Sequence, residues 1–335
     1  MLILGIESSC DDAAAAVLET ATPGKAVVRS SVVANQEIVH KRFGGVVPEL
    51  ASRYHVRTIS PVIEAALEIA GCSLSDIDGI AVTRGPGLVG SLLVGLMCAK
   101  GLAQTLDRPL VGVNHIEGHV LAPLLEHEVA IPYLALVVSG GHSAIFLTED
   151  FGKYRRLGST RDDAAGEAFD KVAKMMGLGY PGGRVIDELA RTGDRKKFNF
   201  PRAKVRGNGF DMSFSGIKTA VALTLGRCGN GNAPAPSDLA ASFQEAVVDM
   251  LLKPTMEAAR RYGVKTIALT GGVAANSRLR ERLTAEAENE GFRVIAPSLK
   301  YCTDNAAMIA LAGSYRLLKG ERDADDIDAQ AALSL

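Results

Sequence analysis

LILGIESSCDDAAAAVLE, residues Leu2–Glu19, is two apolar runs joined by a short polar turn. Ile and Leu dominate the first run, Ala and Val the second, and Ser-Ser-Cys-Asp-Asp between them is small and polar. The segment reads as strand, turn and strand. The same order returns at YLALVVSGGHSAIFLTE, Tyr133–Glu149, with Ser-Gly-Gly-His as the turn. Each hairpin is followed, later in its half, by an apolar strand that runs into a Gly turn and a helix. In the first half this is GIAVTRGPGLVGSLLVGLMCAKGLA from Gly79; in the second it is KTIALTGGVAANSRLRERLTAEAE from Lys265. The halves share little identity, yet the order of elements occurs twice.

At 335 residues the chain exceeds the usual size of one hydrophobic core. The repeated order predicts an α/β protein of actin-like (ASKHA) type, a two-lobed ATPase fold with duplicated α/β lobes whose hairpin turns point into a shared cleft. The expected boundaries are 1–130 plus 302–325 for the first lobe, 131–301 for the second, and an acidic tail over 326–335. Two ordinary doubly wound lobes with merely tight Gly turns are the alternative. The stretch from Glu321 to Asp328 is acidic and is expected to be exposed and poorly ordered.

Charge is balanced, 37 basic against 38 acidic residues, which argues against a broadly basic nucleic-acid coat. Cys10, Cys72, Cys98, Cys228 and Cys302 are scattered and form no C-x-x-C pair, so a reducing, cytoplasmic location fits. The N-terminal apolar run breaks at Glu7 and lacks a basic start, unlike a signal sequence. The longest uncharged apolar stretch, Gly85 to Ala99, falls short of a membrane span and reads as a buried helix.

The sharpest local signal is His115-Ile116-Glu117-Gly118-His119, which follows the apolar PLVGV and Asn114. Two His at i and i+4 share a helical face, the geometry for holding one metal ion. Glu117 lies about 200° around the helix from His115 and pairs with Asn114 as a capping box, so a metalloprotease reading is disfavoured. A third ligand is offered by Asp304, in YCTDNAAM from Tyr301, where a polar stretch becomes an apolar helix; an N-cap is its other possible role. Two His and one carboxylate with open positions suit Fe(II) or Zn(II).

Ser139-Gly140-Gly141-His142 and Gly271-Gly272-Val273-Ala274-Ala275-Asn276 both end apolar strands, where open α/β sheets bind ligands. Gly85-Pro86-Gly87-Leu88-Val89-Gly90 matches G-x-G-x-x-G but lacks the acid that a dinucleotide site needs, and reads as a packing turn. Asp11 and Asp12 sit in the first hairpin turn, either near phosphate or as turn caps. Arg191–Gly209 carries seven Lys or Arg against one Asp, with Phe198 and Phe200 interleaved. Lys196, Lys197, Arg202, Lys204 and Arg206 are the expected RNA-binding patch, with the Phe rings stacking on splayed bases; Arg42, Arg53 and Arg57 are a rival patch.

Ten segments in order, GIESSCDD, GGVVPELASRYH, RGPGLVGSLLVG, NHIEGH, VSGGHS, DDAAGEAFDKVAK, YPGG, SFSGIKT, GGVAANSRLR and YCTDNAAMIA, resemble the tRNA threonylcarbamoyladenosine-forming transferases, a family once named as sialoglycoproteases. They run from residue 5 to residue 310, nearly the whole chain. The resemblance implies transfer of the threonylcarbamoyl group from L-threonylcarbamoyl-AMP to N6 of the adenosine 3′ of the anticodon, in tRNAs reading codons that begin with A. It implies one divalent ion on His115, His119 and Asp304, Fe(II) favoured and Zn(II) possible. It places Val138, Ser139, Gly140, Gly141, His142, Asp170, Gly183, Asp187 and Asn276 against the adenylate, and leaves Asp11 and Asp12 as candidate catalytic acids. It further implies a shorter paralogue and a small P-loop ATPase as partners. Two departures stand out: Cys10-Asp11-Asp12 where the family has Asp-Glu, and Arg184 in place of a Pro. A kinase-like or chaperone-like ATPase shares the expected fold but needs no His pair, and a non-catalytic scaffold needs none of these residues.

Overall fold

The structure is a computed structural model that describes residues 1–22, 25–203, 205, 207, 209–227 and 234–335. Lys204, Arg206 and Cys228 lie outside the described residues. Two compact units emerge, one of Met1–Glu128 with Pro297–Leu335, the other of Val129–Ala296.

The first unit opens with β1 (Leu2–Glu7), β2 (Ala13–Thr22) and β3 (Lys25–Ala34), consecutive antiparallel neighbours. A short helix α1 (Glu37–Lys41) and the long α2 (Pro48–Ala70) follow, then β4 (Gly79–Gly85), α3 (Val89–Leu106), β5 (Leu110–Asn114) and α4 (His115–Leu121). β4 lies parallel to β1, and β5 parallel to β4, giving the sheet order β3-β2-β1-β4-β5. Strand alternation explains the two faces. Leu4, Ile6, Ala15, Val17, Ile80 and Val82 form one core with Ile59, Val62 and Ile63 of α2 and Leu96 and Ala99 of α3. α3 is 18 residues long with a mean hydropathy of 1.4, enough in length and composition to cross a membrane, and one face of it packs into the core through Leu96, Ala99 and Ala103. Val89, Leu93 and Met97 on it stay exposed.

The second unit repeats the plan. β6 (Tyr133–Val138), β7 (Ser143–Asp150) and β8 (Lys153–Ser159) are antiparallel in sequence, followed by α5 (Ala165–Met175), α6 (Gly182–Ala190), α7 (Ser215–Arg227) and α8 (Pro236–Tyr262). β9 (Thr266–Thr270) then runs parallel to β6, and after α9 (Ser277–Asn289) the short β10 (Arg293–Ile295) runs parallel to β9. The order β10-β9-β6-β7-β8 is that of the first sheet, strand for strand. The duplication expected from two hairpins and two strand–Gly–helix units is thus a duplication of topology, as in actin-like folds.

The chain returns to the first unit as α10 (Leu299–Cys302) and α11 (Ala306–Leu318). α11 covers the sheet face opposite α2 and α3, where Ala14 and Ala16 meet Ala306 and Ala307. Small side chains let the helix come close. A Cβ on Gly5 would collide with the Ala306 carbonyl oxygen and with Ala310. The terminal stretch is mostly exposed, as its composition predicts, but it is held to the rest of the first unit. Asp323 donates its N–H to Leu110 O at 2.8 Å and accepts the Gly112 N–H at 2.6 Å, while Gln330 N–H reaches Arg84 O at 2.7 Å. Ile327 is buried in the core under α3. β5 is an edge strand, and the tail satisfies its open backbone groups. Composition marked this stretch as solvated; the partner of Asp323, Arg316 at 2.9 Å, comes from α11.

Candidate active site

Three strand ends of the first sheet carry one cluster. β1 ends at Glu7, β4 runs through Thr83, and β5 ends at Asn114, whose side chain accepts the Ile116 N–H at 2.8 Å and so caps α4. That cap starts the helix at His115 and sets His115 and His119 one turn apart. Their rings stand 4.7 Å apart, nearly perpendicular. Both are buried, whereas Glu117 is half-exposed, as its position around the helix predicts.

Asp304 arrives from 185 residues further on and meets His119 Nε2 at 3.2 Å and His115 Nε2 at 3.6 Å. Its other possible role is taken by its neighbour: Asn305 caps α11 by accepting the Met308 N–H at 3.0 Å. The ligand atoms of His115, His119 and Asp304 all lie within 4.8 Å of one another. Two imidazole nitrogens and one carboxylate oxygen at this spacing fit a divalent transition metal.

Electrostatics favour a cation here. Burial pulls the His115 imidazolium down, but the charges of Glu7 and Asp304 and the hydrogen bond with Glu7 outweigh it, so its pKa is pushed up to about 9. Burial holds His119 below the ordinary imidazole value. Glu7 was not singled out from the sequence, nor were Ser9 and Thr83. Its carboxylate is fully buried, 3.0 Å from His115 Nδ1, and accepts the Thr83 hydroxyl at 2.6 Å. In the turn beyond β1, Asp12 accepts a hydrogen bond from Asn35 Nδ2 at 2.9 Å. Burial, then the charges of Asp11 and Asp304, push its pKa up to about 7; burial and Asp304 raise Asp11 as well.

In the second unit the predicted adenylate residues lie at or after the ends of β6 and β9 and on α5 and α6. β6 and β9 are parallel neighbours, paired to Val137 and Thr270. Gly271 has φ +92°, and a Cβ there would strike the Val138 carbonyl, so the Gly pair folds back onto the end of β6. The Ser139 turn is closed by Ser139 N–H to His142 O at 2.7 Å, leaving Gly140 and Gly141 exposed. Gly166 N–H of α5 donates to Ser139 O at 3.3 Å. Asp170 accepts the Gly182 N–H at 2.8 Å, fixing the start of α6 and with it Gly183. Asp187 accepts the Ser277 hydroxyl at 2.8 Å and the Ser277 N–H at 3.2 Å. Asn276 is more occupied than expected: it caps α9 through the Leu279 N–H at 3.0 Å and donates to Gln244 at 2.7 Å.

The basic segment differs most from its reading. Phe200 is buried and its ring stacks at 5.9 Å on the half-buried Phe198, so Phe200 offers no face for base stacking. Arg202 is bound to Asp249 at 2.9 Å and to Phe200 O at 2.7 Å. Lys196 and Lys197 are exposed. In the rival patch, Arg53 pairs with Glu49 at 2.8 Å and Arg42 lies over the Phe43 ring.

The family model for tRNA N6-adenosine threonylcarbamoyltransferase (TsaD) matches residues 27–311. The chain belongs to this family. It is 53% identical over 335 residues to the tRNA N6-adenosine threonylcarbamoyltransferase of Anaeromyxobacter dehalogenans (strain 2CP-C), covering 99% of each chain. It is 50% identical over 336 residues to the enzyme of that name from Clostridium perfringens (strain SM101 / Type A), covering 100% of this chain and 98% of the relative. Among solved structures, full-length HypF in its phosphate- and nucleotide-bound form aligns with a TM-score of 0.62 at 15% identity, over 95% of this chain and 55% of that one. Component A of the (R)-2-hydroxyglutaryl-CoA dehydratase of Acidaminococcus fermentans aligns at 0.52 and 17% identity, over 93% and 96%. These two share the fold.

Proposed function

We propose that the chain transfers the threonylcarbamoyl group of L-threonylcarbamoyl-AMP to N6 of the adenosine 3′ of the anticodon, in tRNAs reading codons that begin with A. The observation that carries this reading is the cluster of His115, His119 and Asp304 in the first unit, in a chain whose relatives are named tRNA N6-adenosine threonylcarbamoyltransferase. Fe(II) is the favoured ion and Zn(II) the alternative, since two His and one carboxylate with open positions suit both. A bound ion would supply Lewis-acid polarisation of the carbamoyl carbonyl.

The remaining work falls to the chain itself. The exposed backbone of Gly140 and Gly141 and the first turn of α6 at Gly183 offer N–H groups to the phosphate. Asp187 and Asp170 are carboxylates of the type that accept from ribose hydroxyls or an adenine amine. The N6 nitrogen bonds to the carbamoyl carbon as the anhydride C–O bond breaks and AMP leaves. Asp12, titrating near neutrality, is suited to accept the N6 proton. Asp11 beside it keeps the turn acidic. Lys196 and Lys197 supply exposed positive charge for tRNA, with Lys204 and Arg206 assigned to the same surface on sequence grounds. The exposed Val89, Leu93 and Met97 stripe offers the shorter paralogue an apolar face, and a small P-loop ATPase completes the proposed set of partners. Among the described residues, Cys10, Cys72, Cys98 and Cys302 form no disulfide, in keeping with the proposed cytoplasmic setting. The deciding test is incubation with ATP, bicarbonate, threonine, the adenylate-forming enzyme and unmodified tRNA, followed by nucleoside analysis. Formation of threonylcarbamoyladenosine that depends on the chain supports the reading; its absence with the full partner set rejects it.

A further inference from the structure

We propose that Glu7 is a positioning residue that fixes the His115 ring so that Nε2, and not Nδ1, is its ligand atom. The proposal rests on the metal reading of His115, His119 and Asp304 given above. Glu7 sits at the last position of β1, fully buried, and an isolated carboxylate there would be costly. Its surroundings satisfy it. One oxygen accepts the Ser9 N–H, and the other accepts the Thr83 hydroxyl at 2.6 Å and faces His115 Nδ1 at 3.0 Å. An ionised carboxylate only accepts, so in the neutral form of His115, the form able to ligate, the single proton stands on Nδ1, where the Ser9 hydroxyl oxygen at 3.1 Å can accept it as well. That leaves Nε2 bare, on the side of the ring that meets Asp304.

The neighbouring ligand lacks such an anchor. His119 Nδ1 is buried with no hydrogen-bond partner, and its Nε2 meets Asp304 directly. The two imidazoles therefore differ: His115 is oriented from behind by a strand end, whereas His119 has only helix packing behind its ring and Asp304 in front. A carboxylate behind a ligating imidazole both sets its tautomer and raises its basicity, and removing it typically costs metal affinity about 10–100-fold. Thr83 and Ser9 hold Glu7 in turn, so three strand-end residues aim one ring.

The test uses the full chain, stripped with a chelator and titrated with Zn(II) against a chromophoric competitor. Wild type is expected to bind one equivalent and His115→Ala to lose it. Glu7→Gln, nearly isosteric, is expected to weaken Zn(II) about 10–100-fold, and Thr83→Val, which frees the carboxylate, less than that. Two-bond proton–nitrogen spectra of the zinc-loaded wild type, labelled at His, are expected to show His115 protonated at Nδ1. That spectrum decides the matter if Glu7→Gln does not fold, since a merely structural Glu7 would not set the tautomer. Zn(II) affinity of a folded Glu7→Gln within twofold of wild type, or His115 protonated at Nε2, overturns the proposal. Failure of wild type itself to bind Zn(II) at His115 overturns the metal reading instead.

Discussion

Asp12 holds its proton more tightly in the fold than in an open chain, because burial and the charges of Asp11 and Asp304 oppose its ionisation. For an acid raised from its ordinary 3.8 to about 7, native stability falls as pH rises through that window and the loss is complete above it. Asp12→Asn should therefore melt higher than wild type at pH 8 and alike near pH 4, while losing transfer. A lower melting point at pH 8 would show that Asp12 is not held under strain. The His pair gives a second residue-scale expectation. His115→Ala or His119→Ala should lose bound metal by elemental analysis and abolish transfer, since two ligands seldom retain a divalent ion. Glu117→Gln should keep both, because the half-exposed Glu117 stands off the ligand face; loss of metal in a stable variant would refute that placement.

Helix ends aim most of the site, so cap residues should have effects out of proportion to their size. Asn305→Ala should cost about 1 kcal/mol of stability and also weaken metal binding, because the cap fixes the residue after Asp304. Denaturant melts and Zn(II) titration would separate the two effects. Asn276→Ala should weaken binding of a non-hydrolysable adenylate analogue while leaving metal content unchanged. Asp323 makes an element-scale case as well. Burial opposes its charge, but Arg316 and the Gly112 N–H outweigh this and hold its pKa below the ordinary carboxylate value. A depressed acid contributes stability above its open-chain pKa and loses it as pH falls through the folded one. Asp323→Asn should then cost about 1–2 kcal/mol at pH 7 and little at pH 3. Periodicity made the hairpins legible, and i,i+4 spacing made the His pair legible, because both signals are local. Glu7 was not legible because its partner His115 lies 108 residues away. The exposure of the tail was legible but its tether was not, because acidic composition says nothing about an Arg316 waiting on another element. Asp304 and Asn305, adjacent and both able to cap, could be separated only by the helix that follows them.

Over the whole molecule a formal charge of −1 leaves no general attraction for RNA, so tRNA affinity must be local and salt-dependent. With Arg202 committed to Asp249 and Phe200 buried, Lys196 and Lys197 remain the described, exposed cations of the expected patch. Changing both to Glu should weaken tRNA binding and reduce its salt slope by about 2, near one for each phosphate no longer neutralised. An unchanged slope would move the RNA surface elsewhere. The two units also differ in how they are drawn from the chain. The second is one unbroken segment, Val129–Ala296, whereas the first is closed by α11 against Gly5, Ala14 and Ala16. On a ribosome the order of completion is therefore reversed relative to the order of the units. At roughly 5–20 residues per second, Asp304 emerges on the order of 10–40 s after His119, from which it is separated by 185 residues. Through that interval the nascent N-terminal sheet has an uncovered Ala-rich face and two ligands without their carboxylate, while the later-made half can already close. On the metal reading proposed above, the full ligand set exists only once nearly the last helix has been translated.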